Sequence, residues 1–566
     1  MLNKFYFRIF FIGTFLFVLP LFVSAQNQAF KIDSNYDLFS REQIEAELIK
    51  TTPNLHFYAE KNWWQSATPE EQNNIKLALF DLGEEFRNKI YPVLTSTFGS
   101  EPKPGIDRDE KITVLIHQMP DYFGGYFRTG DIYSRLQYPA SNEREMVYLN
   151  SRHITGHKAK SFLAHEFVHL ITVNQKDLLK NTEEEVWLNE ARAEYAPTLL
   201  GYDNTYTGSN LETRVKGFID NPTVSLAEWL NVKADYGAVN LFAQYLVDHY
   251  GVKILVDSLH SDKIGIPSLE ETLLKNGVNK TFSQIFSDWA IALLVNDCRV
   301  GEKYCYLNQN LRGLRIVPTL YFLPKTTTIL STVYWTTYWS LNWHRFVGGD
   351  SNLTLEFDGG TANGSSIFQV PYVLCDTQNL CSVGFLILNS QQKAKLTLAG
   401  FSQKYSSLTI IPFLLGKTTG FNGKENNFSF SWKASVSETP KTGEESGSQT
   451  PDRISELQEQ IRQLKAQIAA ILSGQALPGQ ISCSRFNNNL YFGLRNNTEV
   501  RCLQEFLKRE GVYPEGLVTG NFLSLTQAAV IRFQEKHASE ILAPLGLQKG
   551  TGYVGPATIT KINQLF

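Results

Sequence analysis

Two histidines and a glutamate stand in the stretch SFLAHEFVHLITV, residues 161–173, among aliphatic and aromatic neighbours. At 3.6 residues per turn, a helix puts His165 and His169 one above the other on a single face, with Glu166 beside them. Imidazoles placed this way can hold one divalent cation. A zinc site for hydrolysis adds one more protein ligand and keeps a position open for water. Downstream, EEVWLNEARAEYAP (184–197) offers Glu190 and Glu194, which share a helical face. Glu190 is assigned as the third ligand of a single catalytic zinc, and Glu194 as the carboxylate that takes an N–H from a ligating histidine and fixes its tautomer. Glu166 does not reach the ion from its own position, which makes it the base that takes a proton from the attacking water and passes it to the leaving amine. His153 and His157 repeat the spacing without a glutamate in the catalytic place and read as loop residues. Asp107 and Asp109 in GIDRDEK offer too few oxygens for calcium and read as a turn, so calcium is left without support.

Such a site needs a scaffold, and the chain of 566 residues with 43% hydrophobic content allows several domains. The expected fold class is multidomain α+β. The opening MLNKFYFRIFFIGTFLFVLPLFVSAQNQ places Lys4 and Arg8 before an apolar run ending in Val23-Ser24-Ala25, which predicts a signal peptide over 1–25, with an uncleaved anchor as the alternative. Helical stretches and short strand-like runs such as KITVLIHQ alternate through 26–315. Residues 318–436 alternate apolar and polar at period two, which predicts a β-sandwich. The polar segment 437–453 reads as a flexible linker. Apolar residues at heptad a and d positions over 454–473 predict a short coiled coil, either a dimer seam or a helix docked on its own chain. A last domain spans 482–566 and contains two half-repeats, GNFLSLTQAAVIRF and GYVGPATITKINQL.

Six cysteines fall into close pairs, Cys298 with Cys305, Cys375 with Cys381 and Cys483 with Cys502, which read as disulfides of an exported protein. A formal net charge of -3 without a long basic block argues against a nucleic-acid partner.

The pattern His165-Glu166-x-x-His169 followed by Asn189-Glu190-x-x-x-Glu194 resembles the gluzincin clan of metallopeptidases. Together, SNEREMVYLN, LAHEFVHLI and VWLNEARAEYA resemble the hyicolysin-like neutral zinc peptidases. The resemblance implies a thermolysin-like, two-lobed domain at 26–315, a zinc endopeptidase acting on protein or peptide bonds, and Asn189 beside Glu194 in support of the ligands. It also implies a phenol or imidazole for the oxyanion, for which Tyr236 in ADYGAVNLFAQYL is the candidate, with Tyr195 behind it. An aminopeptidase of the same clan is the enzymatic alternative, with Glu143 and Glu145 standing in for its amino-terminus motif. EVRCLQEFLKREGVY and GNFLSLTQAAVIRFQEKH, with the pair Phe533-Gln534, resemble the three-helix peptidoglycan-binding-like domain. That implies a cell-wall glycan partner and a secreted, bacterial envelope-associated enzyme. The alternative is a non-catalytic wall-binding protein on a protease-like scaffold.

Overall fold

The computed structural model describes residues 27–437 and 485–565, apart from 326–328, 350–351, 361–366, 422, 492–493, 495–496, 515, 517 and 523. The signal peptide at 1–25, the coiled coil at 454–473, all but the first residue of the linker at 437–453, and Cys483 lie outside the described residues. The chain divides into two compact units, Met1–Lys441 and Thr442–Phe566.

In the first unit, β1 (Asn27–Lys31), β2 (Gln43–Thr51), β3 (Leu55–Glu60), β4 (Ile112–His117), β5 (Gly125–Tyr126) and β6 (Met146–Asn150) form one sheet in the order β1-β2-β3-β4-β6-β5. β3, β4 and β6 run parallel, and β4 and β6 are buried at every position, as expected for strands covered on both faces. Leu55, Phe57, Val114, Ile116, Val147 and Leu149 face the helices, while Tyr58, Leu115, Met146 and Tyr148 pack on the opposite face with Phe30 and Ile44. Helix α1 (Lys61–Ser66) leads into α2 (Pro69–Glu85), which opens on a reciprocal cap: Thr68 Oγ1 accepts the Glu71 N–H, and the Glu71 carboxylate accepts the Thr68 N–H. Helix α3 (Tyr91–Phe98) follows.

Seven helices follow the sheet: α4 (Ala159–Thr172), α5 (Val186–Leu199), α6 (Asn210–Asp220), α7 (Lys233–Tyr250), α8 (Lys253–Leu259), α9 (Gly265–Lys275) and α10 (Phe282–Val295). None of the described helices is long and apolar enough to cross a membrane.

The β region begins at Thr319. It forms a four-stranded sheet of Lys393–Leu398, Asn352–Asp358, Phe428–Ser437 and Ile329–Thr336, a five-stranded sheet and a two-stranded ribbon. The strand Phe428–Ser437 includes Ser437, the first residue assigned to the linker. One core, around Phe346, Leu355, Phe357, Leu408, Phe430 and Trp432, lies within this region. Trp339, Leu341, Trp343, Ile411, Phe413 and Phe421, however, join the core of the helices. Trp339 lies 4.9 Å from Phe282 and 5.3 Å from Phe286 of α10, between ring centroids, and Phe413 lies 4.9 Å from Phe286. Glu185 and Glu228 accept the backbone N–H groups of Gly420 and Glu425, each at 2.6 Å. Disulfides join Cys298 to Cys305 and Cys375 to Cys381.

Glu145 gives a stability prediction. Its side chain is buried, Oε1 accepts the Ile106 N–H at 3.2 Å, and Oε2 has no partner. Burial pushes its carboxyl up to about 7, with the Ile106 N–H pulling the other way and the charges of Asp107 and Glu101 adding to the rise. A folded-state value above the unfolded one means stability that is present below the ordinary glutamate range and lost as pH rises toward 7. Glu145→Gln should therefore stabilise the protein by about 1–2 kcal/mol at pH 8, after discounting for solvent screening, and leave it unchanged at pH 4. Paired thermal melts at the two pH values measure this; equal shifts at both would defeat it.

In the second unit, helices Thr498–Arg509, Ser524–Lys536 and Pro556–Leu565, with a short turn of helix at Ala538–Ile541, enclose Val500, Leu503, Phe506, Leu507, Val530 and Phe533. The half-repeats have a physical basis. Gln504 Oε1 accepts the N–H groups of Thr519 and Gly520, and its Nε2 donates to Asn521 O and Thr526 Oγ1. Gln534 does the same with Thr551, Gly552, Tyr553 and Thr558. Cys502 is disulfide-bonded.

Candidate metal centre

Helix α4 is buried along almost its whole length, wedged between β6 and α5, with Phe167 packed on Phe86 and Tyr91. On it, His165 and His169 bring their Nε2 atoms to 3.1 Å from each other. Glu190, on α5, completes the group: Oε2 lies 3.3 Å from His165 Nε2 and Oε1 3.6 Å from His169 Nε2. Among the described residues this is the one group of three or more His, Cys, Asp or Glu side chains whose ligand atoms converge, all within 4.8 Å. A tetrahedral zinc with bonds of about 2.0–2.1 Å spaces its donors about 3.3 Å apart, so the three residues fit that ion. Glu190 Oε2 is buried without a hydrogen-bond partner, an arrangement that a cation would relieve.

The other ring nitrogens face acceptors. His169 Nδ1 lies 3.0 Å from Asn189 Oδ1, and His165 Nδ1 lies 3.3 Å from Glu194 Oε1. Protons held on both Nδ1 atoms leave both Nε2 lone pairs directed at Glu190. Glu194 is fully buried and heavily tied: Arg214 of α6 donates to both of its oxygens at 2.8 and 2.6 Å, and Asn210 and Asn240 donate to Oε2. On the far side of α5, Arg192 pairs with Glu184 at 2.9 Å and donates to Leu255 O and Ser258 of α8, which fixes the helix lengthwise.

Glu166 is buried beside β5. A Cβ on Gly125 would lie 3.1 Å from Glu166 Oε1 and 2.4 Å from Tyr148 O, so only glycine allows the strand to come this close. Burial pushes the Glu166 carboxyl up to about 8, with the His165 charge opposing and Glu190 and Glu194 adding to the rise. His165 stands at about 9, because Glu190 and the neighbouring carboxylates outweigh burial. Burial lowers His169.

The chain is similar to a neutral metalloprotease. Over 227 residues it is 31% identical to the neutral metalloprotease ShpI of Staphylococcus hyicus, an alignment covering 35% of this chain and 48% of that protein. The chain thus spans about half the length of the curated relative it matches. Residues 496–562 match the family model "Putative peptidoglycan binding domain".

Tyr236, the fourth residue of α7, donates its hydroxyl to Asn231 Oδ1 at 2.8 Å and lies under the Arg214 guanidinium at 4.7 Å. Tyr195 is half-buried on α5 and packs against the main core. Glu143 accepts the Arg135 N–H and Glu145 the Ile106 N–H, so both carboxylates are engaged in loops. His157 faces Gly208 O and His153 faces Asp121 O on the surface. Asp107 and Asp109 accept backbone N–H groups of Asp109 and Lys111 in successive turns. Sequence reasoning missed Arg214, Asn240 and Tyr36. Burial pushes the Tyr36 phenol up to about 12, with Asn231 opposing the rise and the charges of Glu166 and Glu190 adding to it.

Proposed function

We propose that this chain is an exported zinc-dependent endopeptidase, hydrolysing protein or peptide bonds, with a C-terminal unit that holds it at the bacterial cell wall. The observation that carries the reading is the convergence of His165, His169 and Glu190 with the Glu166 carboxylate alongside. Similarity to a neutral metalloprotease supports the same chemistry. Zinc held by these three residues supplies a Lewis acid for the attacked carbonyl and lowers the pKa of water. Asn189 and Glu194 orient the imidazoles. Glu166 takes the proton of the attacking water and delivers it to the amine nitrogen as the C–N bond breaks. Glu143 and Glu145 each accept a loop N–H and neither belongs to the converging cluster, which favours endopeptidase over aminopeptidase.

The test is metal analysis of purified protein beside casein cleavage. About one zinc per chain is expected, with loss of both zinc and activity in a His165→Ala, His169→Ala double variant. Full zinc occupancy in that variant would remove the ligand assignment.

Wall anchoring is supported by the match at 496–562. Truncation after residue 440 should leave peptide hydrolysis within about twofold, because a segment of linker composition precedes the second unit, and should abolish cosedimentation with isolated bacterial walls. Full-length protein that cleaves casein but stays in the supernatant would disprove the anchor.

A further inference from the structure

Leu490 and Val554 of the second unit form an isolated antiparallel bridge and exchange both backbone hydrogen bonds, at 3.1 and 2.9 Å. Both side chains enter the core of that unit. Side chains alternate along extended backbone, so the next pair across the bridge, Tyr491 and Tyr553, is turned outward. It is a pair of the non-hydrogen-bonded kind, in which side chains stand closest. The two rings lie 22° from parallel with centroids 6.4 Å apart, and the residues remain 50% and 43% exposed.

Their backbones are fixed by the unit itself. Tyr553 O accepts from Gln534 Nε2 at 2.8 Å, and the Tyr553 N–H donates to Thr551 Oγ1 at 3.2 Å. Gly552 before it takes a φ of +71°, and a Cβ on Gly555 would lie 2.8 Å from the Tyr553 ring, so the ring lies against a loop that needs glycine. On the other side, the Phe486 backbone exchanges two hydrogen bonds of 2.8 Å with the Asn563 amide, and Tyr491 O accepts the Leu494 N–H at 3.3 Å. Rings held in place this way, with two side-chain torsions each, lose little entropy when a ligand covers them.

The surface suits a small ligand. Two half-exposed tyrosines offer about 200 Å² between them, against about 800 Å² per partner in a stable protein interface. One or two sugar rings match that area. A pyranose presents C–H groups polarised by its oxygens, and the face of a phenol ring is electron-rich. Exposed Asn489, next to Leu490, adds an amide for hydroxyl groups. The match of 496–562 to a peptidoglycan-binding family names a polymer whose backbone is a chain of such rings.

We propose that Tyr491 and Tyr553 form the platform on which the second unit seats the glycan strand of the cell wall, with N-acetylhexosamine rings lying on the phenol faces. The assignment rests on the wall-anchoring reading and deepens it. The ligand is the sugar strand and not its stem peptide, because two neutral ring faces offer nothing to peptide carboxylates. Half of the platform, Tyr491, lies outside the matched segment.

The experiment uses full-length protein carrying Tyr491→Ala, Tyr553→Ala, both alanine changes, or phenylalanine at both positions. Binding is read by depletion onto isolated walls, and by calorimetry with a β-1,4-linked N-acetylglucosamine hexamer and with a soluble stem peptide. Each alanine should weaken binding to walls and hexamer about tenfold, and the pair about 100-fold. The phenylalanine pair keeps both ring faces and should stay within about threefold of wild type. Wild-type wall binding in the alanine pair, an equal loss in the phenylalanine pair, or a wild-type protein that binds walls and stem peptide but not the hexamer would each overturn the platform and leave the anchor standing. Wild-type protein that stays in the supernatant would overturn the anchor and the platform with it.

Discussion

Glu166→Gln should leave about one zinc per chain in place while peptide hydrolysis falls by about 10²–10⁴-fold, the range attributed to a positioned general base. The side chain is buried, presses on the Gly125 backbone and lies next to the ligand cluster without belonging to it. An amide fills the same space and keeps the strand where it is, so the fold and the three ligands are undisturbed. What disappears is the ability to accept a proton. Burial and two neighbouring carboxylates favour the protonated acid here, whereas a cation beside it would favour the carboxylate, the form a base requires. Parallel metal analysis and initial rates decide the matter. A variant that hydrolyses peptides at the wild-type rate would mean that the proton leaves by another route, and a variant that loses zinc would mean that Glu166 is a ligand.

Deleting residues 318–436 should abolish cooperative folding of the region that carries the His165, His169 and Glu190 cluster. Trp339, Leu341, Trp343, Ile411, Phe413 and Phe421 are each no more than 4% exposed and belong to the same core as α10. Exposing the apolar surface they cover costs about 1.5–3 kcal/mol per side chain, which together matches or exceeds the about 5–15 kcal/mol that holds a domain folded. Glu185 and Glu228 would also lose backbone donors, leaving two buried carboxylates unpaired. The truncated protein should aggregate or bind a hydrophobic dye without a thermal transition. A soluble fragment ending at 317 with a sharp melt and full zinc content would show that the β region is dispensable.

The convergence of His165, His169 and Glu190 was legible because their spacing is local to two helices. His165 and His169 share a face of α4, and Glu190 and Glu194 share one of α5, so periodicity alone says which atoms point together. The groups that hold Glu194 were not legible: Arg214 and Asn240 sit on α6 and α7, and pairing between helices leaves no periodic mark in a sequence. Tyr36 was further out of reach. Its loop follows β1 at one margin of the sheet, whereas Tyr126, on whose ring Tyr36 stacks, belongs to β5 at the other margin. The docking of the β region escaped for a related reason. Trp339, Trp343 and Phe413 read equally well as the interior of a sandwich, and the alternation pattern records that a residue is buried without recording which element buries it. The half-repeats were visible through their glycines and through Thr526 and Thr558, while Gln504, whose Leu503-Gln504-Glu505 matches Phe533-Gln534-Glu535, lies upstream of the first half-repeat.

The paired glutamines of the second unit have an evolutionary corollary. Each amide grips backbone groups and a threonine hydroxyl, so the conformation of the loop segments 519–522 and 551–555 depends little on the remaining side chains there. Those positions are released to drift, and the two copies have drifted: where one carries Asn521, the other carries Tyr553, on the same carbonyl contact. A duplicated frame of this kind can try new surface chemistry in one loop while the other keeps the old, without either mutation being charged against the fold.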